Sequence, residues 1–261
     1  MSETRPLKVL HVASGDLWAG AEVQLFTLAR ALQKRGDTDV HVALLNEGEL
    51  AQRLRAANIA VYVFPENKLG FPQLLLRVMG LARKLKPDVI HTHRVKENLL
   101  GGLTGLLLGI PSVRTVHGAS EHVADWKKPH KLLIAKMDQG LATFVQKKTI
   151  AVTQELALKL QEFIPVSRIA VVENGIDPEN FSFVDFSQLD LRFQKAKRRV
   201  GIVGRLVPVK RVDIFIEMAA LFADDSAFDD VEFFVIGDGP LRSELEGLTN
   251  ERKLENKIHF L

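Results

Sequence analysis

The residues of this chain best suited to chemistry on a phosphorylated substrate are Arg205 and Lys210, in the stretch Gly204-Arg205-Leu206-Val207-Pro208-Val209-Lys210. The stretch leaves an apolar run, Val200 to Val203, that predicts a buried strand, and it enters a helix expected to begin near Val209. Backbone N–H groups at a helix start are unpaired and attract anions, and a neighbouring guanidinium and ammonium add fixed positive charge. Phosphate is the natural ligand; two solvated cations flanking a helix start are the plainer alternative. Gly15 and Gly20 bracket a second loop, ahead of Ala21-Glu22. A small residue there lets helix amides approach a phosphate closely, and a tight turn without a ligand is the alternative.

Other residues carry weaker signals. His91 and His93, two apart on a strand, project to one face. Zinc would need a third or fourth ligand that the sequence does not place, so the pair is read as supporting nearby loops. His117 ends a predicted strand beside Gly118, and a lone histidine is more often structural or exposed than catalytic. Asn174-Gly175 is first of all a turn signal. Gly237-Asp238-Gly239-Pro240 opens like a dinucleotide loop, but Arg242 stands where that fingerprint has its third glycine.

These residues need rigid elements behind them, and the chain has material for them: 261 residues, 46% hydrophobic and 26% charged, enough for one large core or two smaller ones. Cysteine is absent, which excludes disulfides and thiolate metal sites and fits a reducing compartment. The segment Met1 to Arg5 lacks the apolar core of a signal peptide, and the nearly uncharged run Leu99 to Pro111 is too short and glycine-rich to span a bilayer. Residues 1–197 carry 26 Lys+Arg against 20 Asp+Glu, while residues 198–261 carry 9 against 12, a mild basic-to-acidic asymmetry.

Strand and helix patterns alternate from the start. Strands are predicted at Leu7 to Ala13, Val40 to Leu45, Ile59 to Phe64, Val89 to His93, Val113 to Val116, Ile150 to Val152 and Ile169 to Val172. Helices are predicted where Leu25, Leu28, Ala29 and Leu32 recur, around Leu50 to Ala57, and where Leu74, Val78, Leu81 and Leu85 recur. The pattern lapses over 181–197, read as a linker ending in a short basic run. A second unit then opens, with strands at 200–203, Val231 to Ile236 and Ile258 to Leu261 and two helices between. The expected organisation is a domain over 1–180, the linker, and a partial domain over 198–261. Such alternation indicates parallel sheets, whose ligands collect at the carboxyl ends of the strands.

Six loop strings occur in an order and spacing that resemble one family. They are Gly15 to Glu22, Pro87 to His93, Thr115 to Gly118, Val172 to Asp177, Gly204 to Lys210 and Gly237 to Pro240. The chain resembles the retaining glycosyltransferases of family 4, with two facing Rossmann-like domains (the GT-B fold). The resemblance implies an α/β protein whose N-terminal parallel sheet is complete and whose C-terminal one is incomplete. Family members go on to two glutamates separated by seven residues that grip the donor sugar and ribose, and nothing after Phe260-Leu261 supplies them. On that basis a chain shortened by on the order of 100 residues is expected, judged by the size of a complete domain.

By the same resemblance Arg205 and Lys210 bind the diphosphate of a nucleotide-sugar donor and stabilise the leaving group in place of a metal, so no metal or other cofactor is expected. His117 is implied to orient the donor sugar and stabilise charge at the reacting centre, facing the inter-domain cleft. Gly20 is implied to bring helix amides to a phosphate, although the family usually has two adjacent glycines where this chain has Gly20-Ala21. Asn174 borders the donor site, Gly239 lies beside the nucleotide base, and Arg211 either adds a phosphate contact or points into water. Trp18 stacks on an acceptor sugar or caps a core edge. The implied partners are the donor and a glycan or lipid-linked acceptor, in the cytoplasm. Relatives often work at a membrane face, and Trp126 to Lys131 precedes an amphipathic helix with Ile134, Met137, Leu141, Phe144 and Val145. An ordinary core-packed helix is favoured over peripheral contact with the inner membrane face, because interfacial helices carry denser basic faces. A catalytically incomplete fragment that binds a glycan or partner is the competing function. A nicotinamide oxidoreductase lacks its complete glycine fingerprint, and nucleic-acid binding has only residues 195–199 behind it.

Overall fold

The computed structural model describes residues 5–16, 18–118, 129–178, 197–223 and 225–261. The chain divides into two compact units, Met1–Pro178 and Glu179–Leu261. Most of the segment read as a linker, 181–196, lies outside the described residues, as do Trp126 to Lys128.

Unit 1 contains strands β1 (Leu7–Ala13), β2 (Thr38–Leu44), β3 (Ala60–Val63), β4 (Val89–Thr92), β5 (Ser112–Val116), β6 (Lys148–Ala151) and β7 (Ile169–Val171). The helices are α1 (Gly20–Arg35), α2 (Glu49–Ala56), α3 (Phe71–Leu85), α4 (Val95–Leu108), α5 (Pro129–Gly140) and α6 (Gln154–Leu160), with a π-helical turn, Leu141–Val145, continuing α5. All seven strands are parallel, in the order β3-β2-β1-β4-β5-β6-β7. The order reverses between β1 and β4, the switch point at which open α/β sheets form their crevices. Leu25 and Ala29 of α1 and Leu50 and Leu54 of α2 bury with Ala13, Val42 and Leu44. On the alternate parity of β1, Leu10 and Val12 bury with Val78, Leu81 and Ala82 of α3. Each such leucine contributes about 2 kcal/mol by leaving water.

Helix α4 covers the run whose glycines obscured it in the sequence. A Cβ on Gly101 would stand 2.4 Å from the Thr92 side chain, and one on Gly105 2.7 Å from the Ile110 carbonyl oxygen. The glycines let this helix lie directly on the sheet and its exit turn.

Unit 2 contains β8 (Arg198–Val203), α7 (Val212–Ala223), β9 (Val231–Ile236), α8 (Arg242–Glu251) and β10 (Ile258–Phe260), with a parallel sheet ordered β10-β9-β8. Its core is built from Ile216, Phe233, Val235, Leu245 and Ile258. The expectation of a buried strand at 200–203 is corrected: Val200 is 41% and Val203 72% exposed. The reason is position, since β8 is the outer strand of three and only β9 pairs with it among the described residues. The helix expected near Val209 begins instead at Val212, after a single 3-10 turn at Pro208–Lys210 and a left-handed Arg211.

Candidate functional site

In unit 2 the two glycine loops lock together at the carboxyl ends of β8 and β9. Gly204 N–H donates to the Ile236 carbonyl at 2.9 Å and Leu206 N–H to the Asp238 carbonyl at 2.9 Å. A Cβ at Gly237 would lie 2.2 Å from the Gly204 oxygen, and one at Gly239 between 2.6 and 2.9 Å from three backbone atoms of Leu206. Glycine is required at both, and at Gly237 the φ of 135° requires it independently. This junction holds Arg205, Lys210 and Gly239 together. The Lys210 stem lies beside Gly204, its Cε 3.7 Å from the position a Cβ there would take. Arg205 and Lys210 are both exposed. Neither is in an ion pair among the described residues, whereas Arg211 is held by Asp213 at 2.8 Å. Arg205 and Lys210 therefore remain for a polyanion, while Arg211 is solvent-exposed and paired with Asp213.

In unit 1, His117 and Asn174 line one cavity of about 270 Å³, together with His91, His93, Thr115 and Gly175. Register explains how the histidines meet. His11 of β1 is the direct partner of His91 on β4, across the switch point, and His93 follows on the same face. His11 Nδ1 lies 3.1 Å from His93 Nε2, and His93 Nδ1 lies 3.3 Å from His117 Nε2. The rings stack, with centroids 5.4 and 5.6 Å apart along that row. His91 Nε2 bonds Thr115 Oγ1 at 2.8 Å. Burial pushes His11 down to about 4, and burial followed by the Arg94 charge pushes His117 down to about 4. His91 and His93 are held well below 6.5, first by burial and then by their histidine neighbours.

His11 is the third histidine that sequence reading did not place. Nitrogens of His11, His91 and His93 all lie within 4.8 Å of one another. His93 nevertheless spends both of its nitrogens on ring neighbours and His91 spends one on Thr115, so the arrangement is a hydrogen-bonded row. The signal available in the sequence was parity: His11 shares its side of β1 with Val9 and Ala13, and that side faces His91 once β1 and β4 adjoin.

Gly20 is the first residue of α1, exposed, with nothing within 4 Å of where its Cβ would stand. It is not among the residues lining the histidine cavity. The same helix start is already charged: buried Glu22 accepts from Arg94 Nη2 at 2.6 Å, and Arg94 lies 3.7 Å from Asp16. Trp18 packs edge-on to Phe26 at 5.9 Å and carries the Arg53 guanidinium 4.4 Å over its ring, which is the core-capping arrangement.

Two features escaped the sequence reading. The first is a buried polar network: Arg114 Nη1 donates to Asp138 Oδ2 at 2.8 Å, Asn98 Nδ2 to Asp138 Oδ1 at 2.6 Å, and Gln146 Nε2 to Asn98 Oδ1 at 2.5 Å. It ties α4, β5 and α5 together beneath the cavity-forming strands. The second departs from the core-packed reading of α5. Leu133, Ile134, Met137 and Phe144 lie exposed, Phe144 by 78%, and the helix buries Asp138 and, one turn on, Leu141.

Two parallel-sheet units, each with its glycine or histidine loops at the carboxyl ends of the strands, define a GT-B architecture. The chain belongs to glycosyltransferase family 4: the model described as Glycosyltransferase Family 4 matches residues 18–180, and the model described as Glycosyl transferases group 1 matches residues 185–261. It is 28% identical over 180 residues to an Escherichia coli UDP-Gal:alpha-D-GlcNAc-diphosphoundecaprenol alpha-1,3-galactosyltransferase, covering 66% of this chain and 46% of that enzyme. It is 24% identical over 276 residues to a Streptomyces kanamyceticus 2-deoxystreptamine glucosyltransferase, covering 92% of this chain and 68% of that enzyme. The chain thus spans about half the length of the E. coli relative. Anabaena HepE, solved with UDP and glucose, shares the fold with a TM-score of 0.78 at 24% identity, over 98% of this chain and 69% of that one.

Proposed function

We propose that the chain carries the donor-phosphate grip and the histidine of a retaining, hexosyl-type glycosyltransferase. In this reading it moves a sugar from a uridine diphosphate donor to a glycan or lipid-linked acceptor in cell-surface polysaccharide or lipopolysaccharide synthesis. The observation that carries the reading is the pair of exposed cations Arg205 and Lys210, neither in an ion pair among the described residues, set over a backbone-locked glycine junction. Cleavage of the sugar–phosphate bond leaves negative charge on the diphosphate, and fixed cations stabilise that charge without a metal. The leaving phosphate assists the acceptor on the face it departs from, so no protein nucleophile is called for. A neutral His117 orients the donor sugar by hydrogen bonding, Asn174 borders the same wall, and Gly20 offers helix amides to a phosphate. The choice of uridine diphosphate rests on the bound ligands of HepE and the donor of the E. coli enzyme.

The exposed apolar face of α5, with Lys136 and Lys147 exposed nearby, favours action at a membrane surface with a lipid-linked acceptor. The test is calorimetric titration of the chain with UDP in EDTA, then transfer from UDP-[14C]sugars to a lipid-diphosphate acceptor. Saturable UDP binding lost in the Arg205→Ala/Lys210→Ala variant supports the reading. Absence of UDP binding by the native chain overturns it in favour of a glycan- or partner-binding module.

A further inference from the structure

Neutral imidazole has one N–H and one bare nitrogen, so a row of three rings joined by two hydrogen bonds has only two consistent proton assignments. In the first, every ring carries its proton on Nδ1: His11 donates to His93 Nε2, His93 donates to His117 Nε2, and His117 keeps an N–H on Nδ1. In the second, every proton sits on Nε2 and the donations run the other way, from His117 inward. The two assignments differ at the buried end. His11 is fully buried and its Nε2 has no hydrogen-bond partner. The second assignment strands an N–H donor there, the first only a lone pair, and stranded buried N–H groups are the rarer condition in folded proteins.

We infer that the row His11–His93–His117 is a one-directional hydrogen-bond wire, in which the partnerless Nε2 of His11 fixes His117 as a neutral imidazole with its proton on Nδ1. His117 Nδ1 has no partner among the described residues, so the wire leaves a hydrogen-bond donor at the wall of the cavity. His11 and His93 are positioning residues, acting through His117. Free histidine in water favours the Nε2–H form, so the wire imposes the less common tautomer. The other groups facing His117 do not reverse the direction: burial and the Arg94 charge disfavour a second proton, and His91 is engaged by Thr115. Glu173 lines the same cavity, and a carboxylate there can only accept, so it does not compete with an Nδ1–H donor. The meaning for sugar transfer rests on the proposed function; the tautomer itself does not.

The experiment is two-bond 1H–15N correlation of histidine side chains in the full chain at pH 7, with His117→Gln to assign the signal. The expected spectrum shows His117 with a protonated Nδ1 and a bare Nε2. In His11→Phe the partnerless buried end passes to Nε2 of His93, and the same rule keeps the His117 proton on Nδ1. In His11→Met the thioether offers an acceptor and no donor, which favours an N–H on His93 Nε2, and His117 is expected to shift toward the Nε2–H form. An Nε2–H His117 in the native chain or in a folded His11→Phe, or an unchanged tautomer in a folded His11→Met, overturns the inference. If neither variant folds, the native spectrum alone decides. Failure of UDP binding would leave this result untouched.

Discussion

Acid should weaken unit 1 through its buried histidines, and His11 gives the magnitude. Its folded value is about 4, against 6.5 for the free side chain, because burial disfavours the charged ring. Between those values the unfolded chain binds a proton at residue 11 that the folded chain refuses. Stability is therefore full above pH 6.5 and falls as the pH drops toward 4. The whole gap corresponds to about 3 kcal/mol, and about 2 kcal/mol of it is lost by pH 5. With a urea dependence of about 2 kcal/mol per molar, the midpoint for unit 1 should fall by about 1 M between pH 7.5 and 5 from His11 alone. His91 and His93 act in the same direction. The assay is urea unfolding followed by circular dichroism at both pH values, in the native chain and in His11→Phe. The variant should lose about one histidine's share of the pH dependence. Equal midpoint shifts in the two proteins would refute the burial argument, whatever the absolute stabilities. The window above pH 5 keeps most carboxylate titration out of the comparison.

The remaining expectations address other parts of the molecule. Arg205→Ala and Lys210→Ala should each weaken UDP binding by about 10- to 100-fold, the worth of a charge-assisted hydrogen bond, without altering the melting temperature. Gly239→Ala should destabilise unit 2 by about 1–3 kcal/mol through overpacking against Leu206, while Gly20→Ala, whose Cβ meets nothing, should be neutral; equal melting shifts would contradict the contact geometry. Asp138→Leu strips the carboxylate from buried Arg114 and should cost unit 1 about 3–5 kcal/mol by urea titration; a loss below about 1 kcal/mol would show the network to be dispensable. Sedimentation with anionic vesicles should be reduced several-fold by Leu133→Ser/Phe144→Ser, and unchanged binding would remove α5 from any membrane contact.

Much of the architecture was legible because parallel strands buried on both faces are written as short β-branched runs, and glycines mark the loops after them. Leu7 to Ala13 and Val231 to Ile236 are found where the sequence predicts them. Arg205, Lys210 and Gly239 could be grouped because their loops leave adjacent strands of one unit. What stayed hidden depends on contacts between distant residues. His11 reads as one polar interruption in an apolar strand until β1 is set beside β4. Asp138, Arg114 and Asn98 read as ordinary surface polarity until α5 and α4 are folded over β5. Burial of β8 was misjudged because its composition is that of an interior strand, whereas its exposure depends on what lies beside it.

The interlocked glycine junction has a consequence for anyone wishing to redesign this protein. A side chain at 237 or 239 would strike the backbone of Gly204 or Leu206, so the second loop cannot gain one without displacing the first. Directed evolution of ligand preference should therefore leave Gly237 and Gly239 untouched and diversify the freely exposed neighbours, such as Val209, where every side chain has room.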